Sequence, residues 1–530
     1  MTTPMTRRRW LQRLGRHGGS AAVLAALNSL GLAQASPASA DFKLGPAPTR
    51  GRRVLVLGAG VAGLVSALEL QRAGYQVQLL EYNQRPGGRC WTLRGGDRYT
   101  ELGGASQLCQ FDRGQYFNPG PWRIPFNHHG VLSYCRQLGV ALQPFVQIND
   151  NAYLHSRRAF GGKPQRRREL QADFSGEVDE LLAKVLQQHQ LDAQLSNEDQ
   201  ARLLETLRHQ GALDREYRYR ASDAVAERRG FEPFAGRGVS SKPPLDSPRP
   251  LTELLGSGLL HQLEQLPDFE YQSPLFQPVG GMDMIAQALA RAVGPRIRYG
   301  ARVSAISQDE RGVSVAYEDL GQPGRQHTAS ADWCVCTLPL SVLSQTEMRI
   351  SPALREAIDA APYFSALKVG LQFKRRFWEE DEGIYGGITS TDMPNRLIAY
   401  PSHDFHGKKG VLLGAYAFGT QALEFTALPP AKRIQAALRF GAQIHPQYPA
   451  EFETGMAVGW HRSPTTLGCF AFWSQANRER HYPTLLKMDG RLILAGEHAS
   501  LLPAWQEGAV LSARHAVTQL HAAASSQTAK

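Results

Sequence analysis

Gly58, Gly60 and Gly63 stand between the apolar run Val54–Leu57 and a stretch with Leu64, Ala67, Leu68 and Leu70 at helical spacing. Glycines at these three places let a turn tighten and let backbone approach a pyrophosphate, whose charge then rests at a helix's positive end. With Ala62 in the same turn, they form a candidate dinucleotide seat. Glu81 ends the next apolar run, roughly 20 residues on, where a carboxylate holds ribose hydroxyls. Two cations also stand in unusual surroundings. Arg123 lies between Gly120-Pro121-Trp122 and Ile124-Pro125, and the prolines stiffen the chain on both sides. That is either an ordinary surface loop or a fixed seat for an anion. Lys368 lies in the alternating apolar run SALKVGLQF, where a lysine either snorkels to water or serves as an inward amine.

The elements needed to position these residues can be read along the chain. Residues 51–81 read as strand, glycine turn, helix and strand, with Val54–Leu57 apolar throughout, as in a buried parallel strand. RPGGRCWT (85–92, with Gly88 and Arg89) and YTELGGAS (99–106, with Gly103 and Gly104) extend the turn-rich wall beyond the ribose. Between about 150 and 268 the pattern becomes helical with much surface charge, interrupted by the turn-rich 236–250, which reads as a helical insertion. Strands return at 295–306, 312–318 and 332–343. ALKVGLQF and GVLLGAYAFG suggest a second sheet. A strand at 490–499 and a helix from about Gln506 close the chain.

Composition narrows the function classes. The chain has 530 residues, 42% hydrophobic and 20% charged, enough for two or three subdomains. Its net charge is +11, but Arg7, Arg8, Arg9, Arg13 and Arg16 fall in an acid-free first 40 residues. No basic block interleaved with aromatics appears, so nucleic acid is not an expected partner. Those first residues read as an export signal. TRRRWLQ resembles the twin-arginine pattern, Ala21–Leu32 is weakly apolar and too short to span a bilayer, and Ala38-Ser39-Ala40 is a small-x-small cleavage site before Asp41. The expected location is therefore periplasmic or secreted, with no stable membrane insertion. The six cysteines lack zinc spacing or a disulfide framework. Cys334 and Cys336 read as small core residues that point the same way.

The glycine turn, Glu81, the GGR at 87–89 and the closing GRLILAGEH resemble the flavin-dependent amine oxidase superfamily. PVGGMDMIAQALA (278–290), GARVSAI (300–306) and CTLPLSVL (336–343) extend the resemblance over nearly all of the chain beyond the signal. It implies tightly bound FAD and an α/β fold with α+β elements: a Rossmann-like FAD-binding domain, an interleaved sheet-containing substrate domain and a helical insertion. The boundaries expected are signal 1–40; FAD domain 41–105, 275–358 and 485–530; substrate domain 106–149, 269–274 and 359–484; insertion 150–268. By the same resemblance Val303 contacts the adenine through its backbone, and Glu497 binds the ribityl or diphosphate region. The helix starting near Gln506 aims its N-terminus at the flavin N1–C2=O edge, favouring the reduced state.

The resemblance also assigns chemistry. Lys368 takes the place of a lysine that holds a water against flavin N5, and FWEEDEGIYGG (377–387) strengthens the likeness to L-amino-acid oxidases. Trp505 and Phe470 take the places of an aromatic pair with parallel rings facing the flavin. Cys469, in Gly468-Cys469-Phe470, stands where monoamine oxidases attach flavin covalently. L-amino-acid oxidases generally do not, so FAD is expected to be non-covalent. GPWRIP is similar to a GPMRIP-type segment whose arginine binds the substrate carboxylate, and Tyr416 adds a hydroxyl. Phe418 and Trp460 fall at side-chain pocket positions, and Ala504 replaces a common glycine. The implied reaction passes hydride from Cα of an L-amino acid to flavin N5. Oxygen and water are consumed, and a 2-oxo acid, ammonia and hydrogen peroxide are released. An amine or polyamine oxidase and an amino-acid 2-monooxygenase remain alternatives, as do a dehydrogenase using a quinone and a flavin-binding accessory protein. A homodimer stays open.

Overall fold

The computed structural model describes residues 42–49, 51–231, 245, 247–263 and 268–528. The expected export signal lies outside the described residues, as does most of the turn-rich 236–250. Strand β1 (Arg53–Leu57), helix α1 (Val61–Arg72) and strand β2 (Gln76–Leu80) form the glycine-turn unit. They belong to a five-stranded parallel sheet in the order Ile297–Arg298, β2, β1, Trp333–Cys336, Leu492–Leu494. Val54–Leu57 and Trp333–Cys336 are buried at every position, as strands covered on both faces must be. Both thiols of Cys334 and Cys336 are buried in that strand, as their spacing suggests.

The sequence marks Leu64, Ala67, Leu68 and Leu70 as the buried face of α1. In the fold every residue from Val61 to Leu70 is buried. The final helix, Gln506–Thr528, and the helix Asp283–Val293 cover its other sides. The turn entering α1 must therefore be very tight. A methyl on Gly63 would lie 1.8 Å from the Gly58 carbonyl oxygen, so only glycine lets the helix seat against β1. This is the Rossmann-like arrangement expected from the glycine pattern.

A second sheet of seven strands runs Phe452–Gly459, Ala366–Phe373, Gly410–Phe418, Leu397–Ala399, Ile388–Thr391, Tyr153–His155 and Gln165–Arg166. Ala366–Phe373 is buried along its whole length, so Lys368 does not snorkel. In its antiparallel pairing with Gly410–Phe418, Lys368 sits directly opposite Tyr416, which puts both on one face. A three-stranded sheet joins Ile124–Pro125 and Leu142–Phe145 to Leu275–Pro278 and so fixes one end of the arginine loop. The insertion is helical at Arg167–Gln187, Asn197–Gln210, Asp223–Arg229 and Leu251–Gly256. Its first strands, from Tyr153 to Arg166, instead add to the edge of the seven-stranded sheet. No helix among the described residues is long and apolar enough to cross a membrane.

Candidate functional site

Gly58, Glu81, Thr337 and Gly496 all follow the carboxyl ends of parallel strands, where a crevice opens in such sheets. A cavity of about 310 Å³ starts there and reaches Arg123 and Tyr416 at the second sheet. At the glycine end, Gly60 caps α1 without any side-chain hydrogen bond, and a methyl placed on it would meet no protein atom within 4 Å. The space beside those helix amides is thus shaped for something other than protein. Glu81 lines it, with Oε2 accepting from Ala59 N at 2.6 Å and Oε1 accepting from Asn83 N and Nδ2. Burial pushes its carboxyl up, and those hydrogen bonds oppose the shift.

Arg89 and Glu497 form the middle wall. Arg89 Nη1 donates to Glu497 Oε1 at 2.8 Å and to the Cys469 carbonyl at 2.6 Å. Ala504 N donates to Glu497 Oε2 at 3.2 Å and ties the turn before the final helix to the same carboxylate. That turn strains Ala504 to φ 68°, a conformation in which a glycine would be at ease. Gln506, at the start of the final helix, donates to the buried Cys90 sulfur at 2.9 Å. These groups fit a dinucleotide: open helix amides, a ribose-side carboxylate and a cation on the path between.

At the far end the walls become aromatic. The Arg123 side chain is partly buried, and its Nε and Nη1 are buried with no hydrogen-bond partner among the described residues. Its guanidinium lies 5.0 Å from the Trp122 ring, 4.6 Å from Tyr271 and 5.6 Å from Trp505. Burial lowers its pKa, and the oxygens of Tyr271 and Tyr416, together with a hydrogen bond from the guanidinium to Tyr271, act against that. Orphaned cationic donors in a dry pocket are costly, so the geometry calls for an anion there.

The loop carrying Arg123 is held by its carbonyls. Trp460 Nε1 donates to Pro119 O at 2.9 Å. Lys368 Nζ donates to Gly120 O at 2.5 Å and to Asn118 O at 3.4 Å. Gly120 passes so close to Arg89 that an added methyl would lie 1.9 Å from the Arg89 carbonyl oxygen. Lys368 also lies 4.6 Å from the Trp122 ring and 4.5 Å from the Tyr416 ring. Burial lowers its pKa from 10.5 to about 7, with Cys469 opposing and Arg123 reinforcing the shift.

Phe470 and Trp505 both line the cavity. Phe470 stacks on Phe364 at 5.6 Å, whereas Trp505 meets His128 edge-on at 5.0 Å. Phe418 packs 4.4 Å from the Tyr416 ring. Gly88 lines the glycine end, and Ala504 lies near Trp505. Gly63 lies beneath the turn rather than on the cavity surface. Gly103 and Gly104 sit in an exposed hairpin outside the cavity. Glu101 is buried against Arg433 there, which draws that hairpin toward the second sheet. Val303 is also off the cavity surface, two residues beyond Ala301, whose amide donates to the Glu81 carbonyl. Sequence reading missed His128 and Tyr271. His128 lies five positions after Arg123 in one stretch, which is a usable signal. Tyr271 comes from a distant segment and carries none.

A family model described as flavin containing amine oxidoreductase matches residues 61–521. The chain is similar to YobN of Bacillus subtilis (strain 168), whose name provisionally calls it an L-amino-acid oxidase, at 29% identity over 87% of this chain and 93% of that one. It is 28% identical to an L-amino-acid oxidase of Siganus canaliculatus, covering 88% and 85% of the two chains. Among solved structures, a mutant of putrescine oxidase superposes with TM-score 0.58 at 18% identity, over 91% of this chain and all of that chain, a likeness of fold.

Proposed function

The chain belongs to the flavin-containing amine oxidoreductases, and from that premise we propose that it is an FAD-dependent oxidase of L-amino acids. One observation carries the choice of amino acid over amine: Arg123, two of whose donors are buried without a partner among the described residues. A simple amine brings nothing to satisfy them. A carboxylate accepts both, and the Tyr416 hydroxyl adds a third hydrogen bond.

Bound FAD supplies the two-electron acceptor for oxidation at Cα. Gly58, Gly60 and the first amides of α1 would hold its pyrophosphate, Glu81 its ribose, and Arg89 with Glu497 the part nearer the isoalloxazine. Burial pushes the Cys469 thiol up to about 11, which keeps it protonated and supports non-covalent binding. Arg123 and Tyr416 fix the carboxylate, and the substrate's Cα is thereby aimed across the cavity. Phe418, Phe470 and Trp505 exclude water and favour the uncharged amine. Lys368 Nζ, with a pKa of about 7, can hold or release a proton near neutrality while it secures the arginine loop.

Among the described residues that line the cavity the carboxylates are Glu81 and Glu497, and both are engaged away from Arg123. The aromatic end therefore suits large apolar or aromatic side chains better than basic ones. Peroxide release measured across the twenty L-amino acids and several amines tests the reading. Arg123→Ala should raise amino-acid KM roughly 10²-fold, as the loss of a buried charged pair implies. An unchanged KM, or amines oxidised as well as amino acids, would refute the carboxylate clamp.

A further inference from the structure

Arg123 has a neighbour that the proposed clamp does not use. Tyr271 reaches the cavity from the short turn Phe269–Tyr271, just past the helical insertion. Of the three rings around the guanidinium, that of Tyr271 is the nearest. The turn is fastened to the very stretch that carries the arginine. His128 Nε2 donates to Glu270 Oε2 at 2.8 Å, and Asn127 Nδ2 donates to Glu270 Oε1 at 3.2 Å. Phe269 meets Phe126 edge-on, with ring centres 5.5 Å apart. Two consecutive residues of one segment thus grip three consecutive residues of the other, and Tyr271 is held where the arginine's unpartnered donors open.

We propose that Tyr271 is a third carboxylate-binding residue, delivered by the turn that follows the insertion and held over Arg123 by the Glu270 clasp. The proposal rests on the L-amino-acid oxidase reading. A carboxylate has about four lone-pair sites. Two are taken by the Arg123 donors and one by Tyr416, which leaves one for the Tyr271 hydroxyl. That turn then contributes directly to selectivity for amino acids. A ligand without a carboxylate leaves polar groups unpaired on three separate segments of the chain, and such sites reject the deficient ligand strongly.

Benzoate is a suitable probe because it offers a carboxylate and a flat apolar ring but no amine to oxidise. Its binding to the purified holoenzyme can be titrated through quenching of tryptophan fluorescence, since Trp122 and Trp505 line the cavity. Tyr271→Phe keeps the ring over Arg123 and removes only the hydroxyl. It should weaken benzoate on the order of 10-fold, the usual scale for one hydrogen bond to a charged group. It should raise the KM for L-phenylalanine by a similar factor while kcat stays within about twofold, as expected for uniform binding. If Tyr271→Phe binds benzoate like the wild type while Arg123→Lys does not, Tyr271 has no such role and the clamp stands without it. If both variants bind benzoate normally, the carboxylate is not seated at Arg123, and this inference falls together with the reading beneath it. A Tyr271→Phe loss confined to kcat, with benzoate affinity intact, also overturns the proposal.

Discussion

Lys368 shows how a single buried residue links stability to pH. Its amine is deprotonated more easily in the folded protein, with a pKa near 7, than in the unfolded chain, where it lies at 10.5. Between those values the unfolded chain binds the proton and the folded chain does not. Stability therefore rises with pH through this window and is least below about pH 7, where the charged form must be buried. One proton accounts for at most about 1.4 kcal/mol per pH unit. Lys368→Met removes this contribution along with the hydrogen bond to Gly120 O. Relative to that variant, the wild type should gain stability as pH rises from about 7 toward 10.5. Apparent urea midpoints of the two proteins, compared at several pH values, read this out. A wild-type-minus-variant difference that stays constant across the window would place the titration elsewhere.

At the scale of elements, two glycines of one turn do different work, and substitution separates them. Gly63 lies against the Gly58 carbonyl, so Gly63→Ala forces α1 away from β1. It should destabilise the protein itself by several kcal/mol, in the manner of overpacked cores, and lower the melting temperature even of flavin-stripped protein. A methyl on Gly60 meets nothing in the protein. Gly60→Ala should therefore fold with a near-native melting temperature when stripped, yet purify with little flavin absorbance. A colourless, unstable Gly60→Ala protein would contradict the division. This turn was legible in the sequence because all its parts are local: a buried strand, glycines at fixed offsets, a helix and Glu81. Arg123 and Lys368 were also marked, since stiff prolines and an alternating strand leave a local trace, whereas Tyr416 was marked only by the family resemblance. The clasp was not. His128 and Glu270 are 142 positions apart, and no local periodicity encodes which distant turn will cover an arginine. The jobs of Trp460 and Lys368 as anchors for the loop's carbonyls were hidden for the same reason, because a backbone acceptor has no signature in side-chain pattern.

At the scale of the whole molecule, the parallel sheet joins the chain's two ends. β1, at residues 53–57, is one strand away from Leu492–Leu494, and the final helix packs on α1. The glycine turn and Glu497 therefore face one cavity only when nearly the entire chain has been made and folded. A flavin site of this kind can form before export only if the chain folds before it crosses the membrane. That constraint gives a physical reason for the paired Arg7-Arg8 and the small-residue site at Ala38–Ala40, if the protein travels folded with its cofactor. Export by the twin-arginine route is accordingly the location we propose. Changing Arg7 and Arg8 both to Lys should leave a flavin-loaded protein, with its first 40 residues uncleaved, inside a bacterial host that has this pathway. The unaltered protein should appear outside the cytoplasm, beginning at Asp41. Cell fractionation with mass analysis of the N-terminus distinguishes the two. Equal export of the double-lysine variant would show that the arginine pair does not direct the route. Recovery of exported wild type that lacks flavin would show that cofactor loading does not precede export.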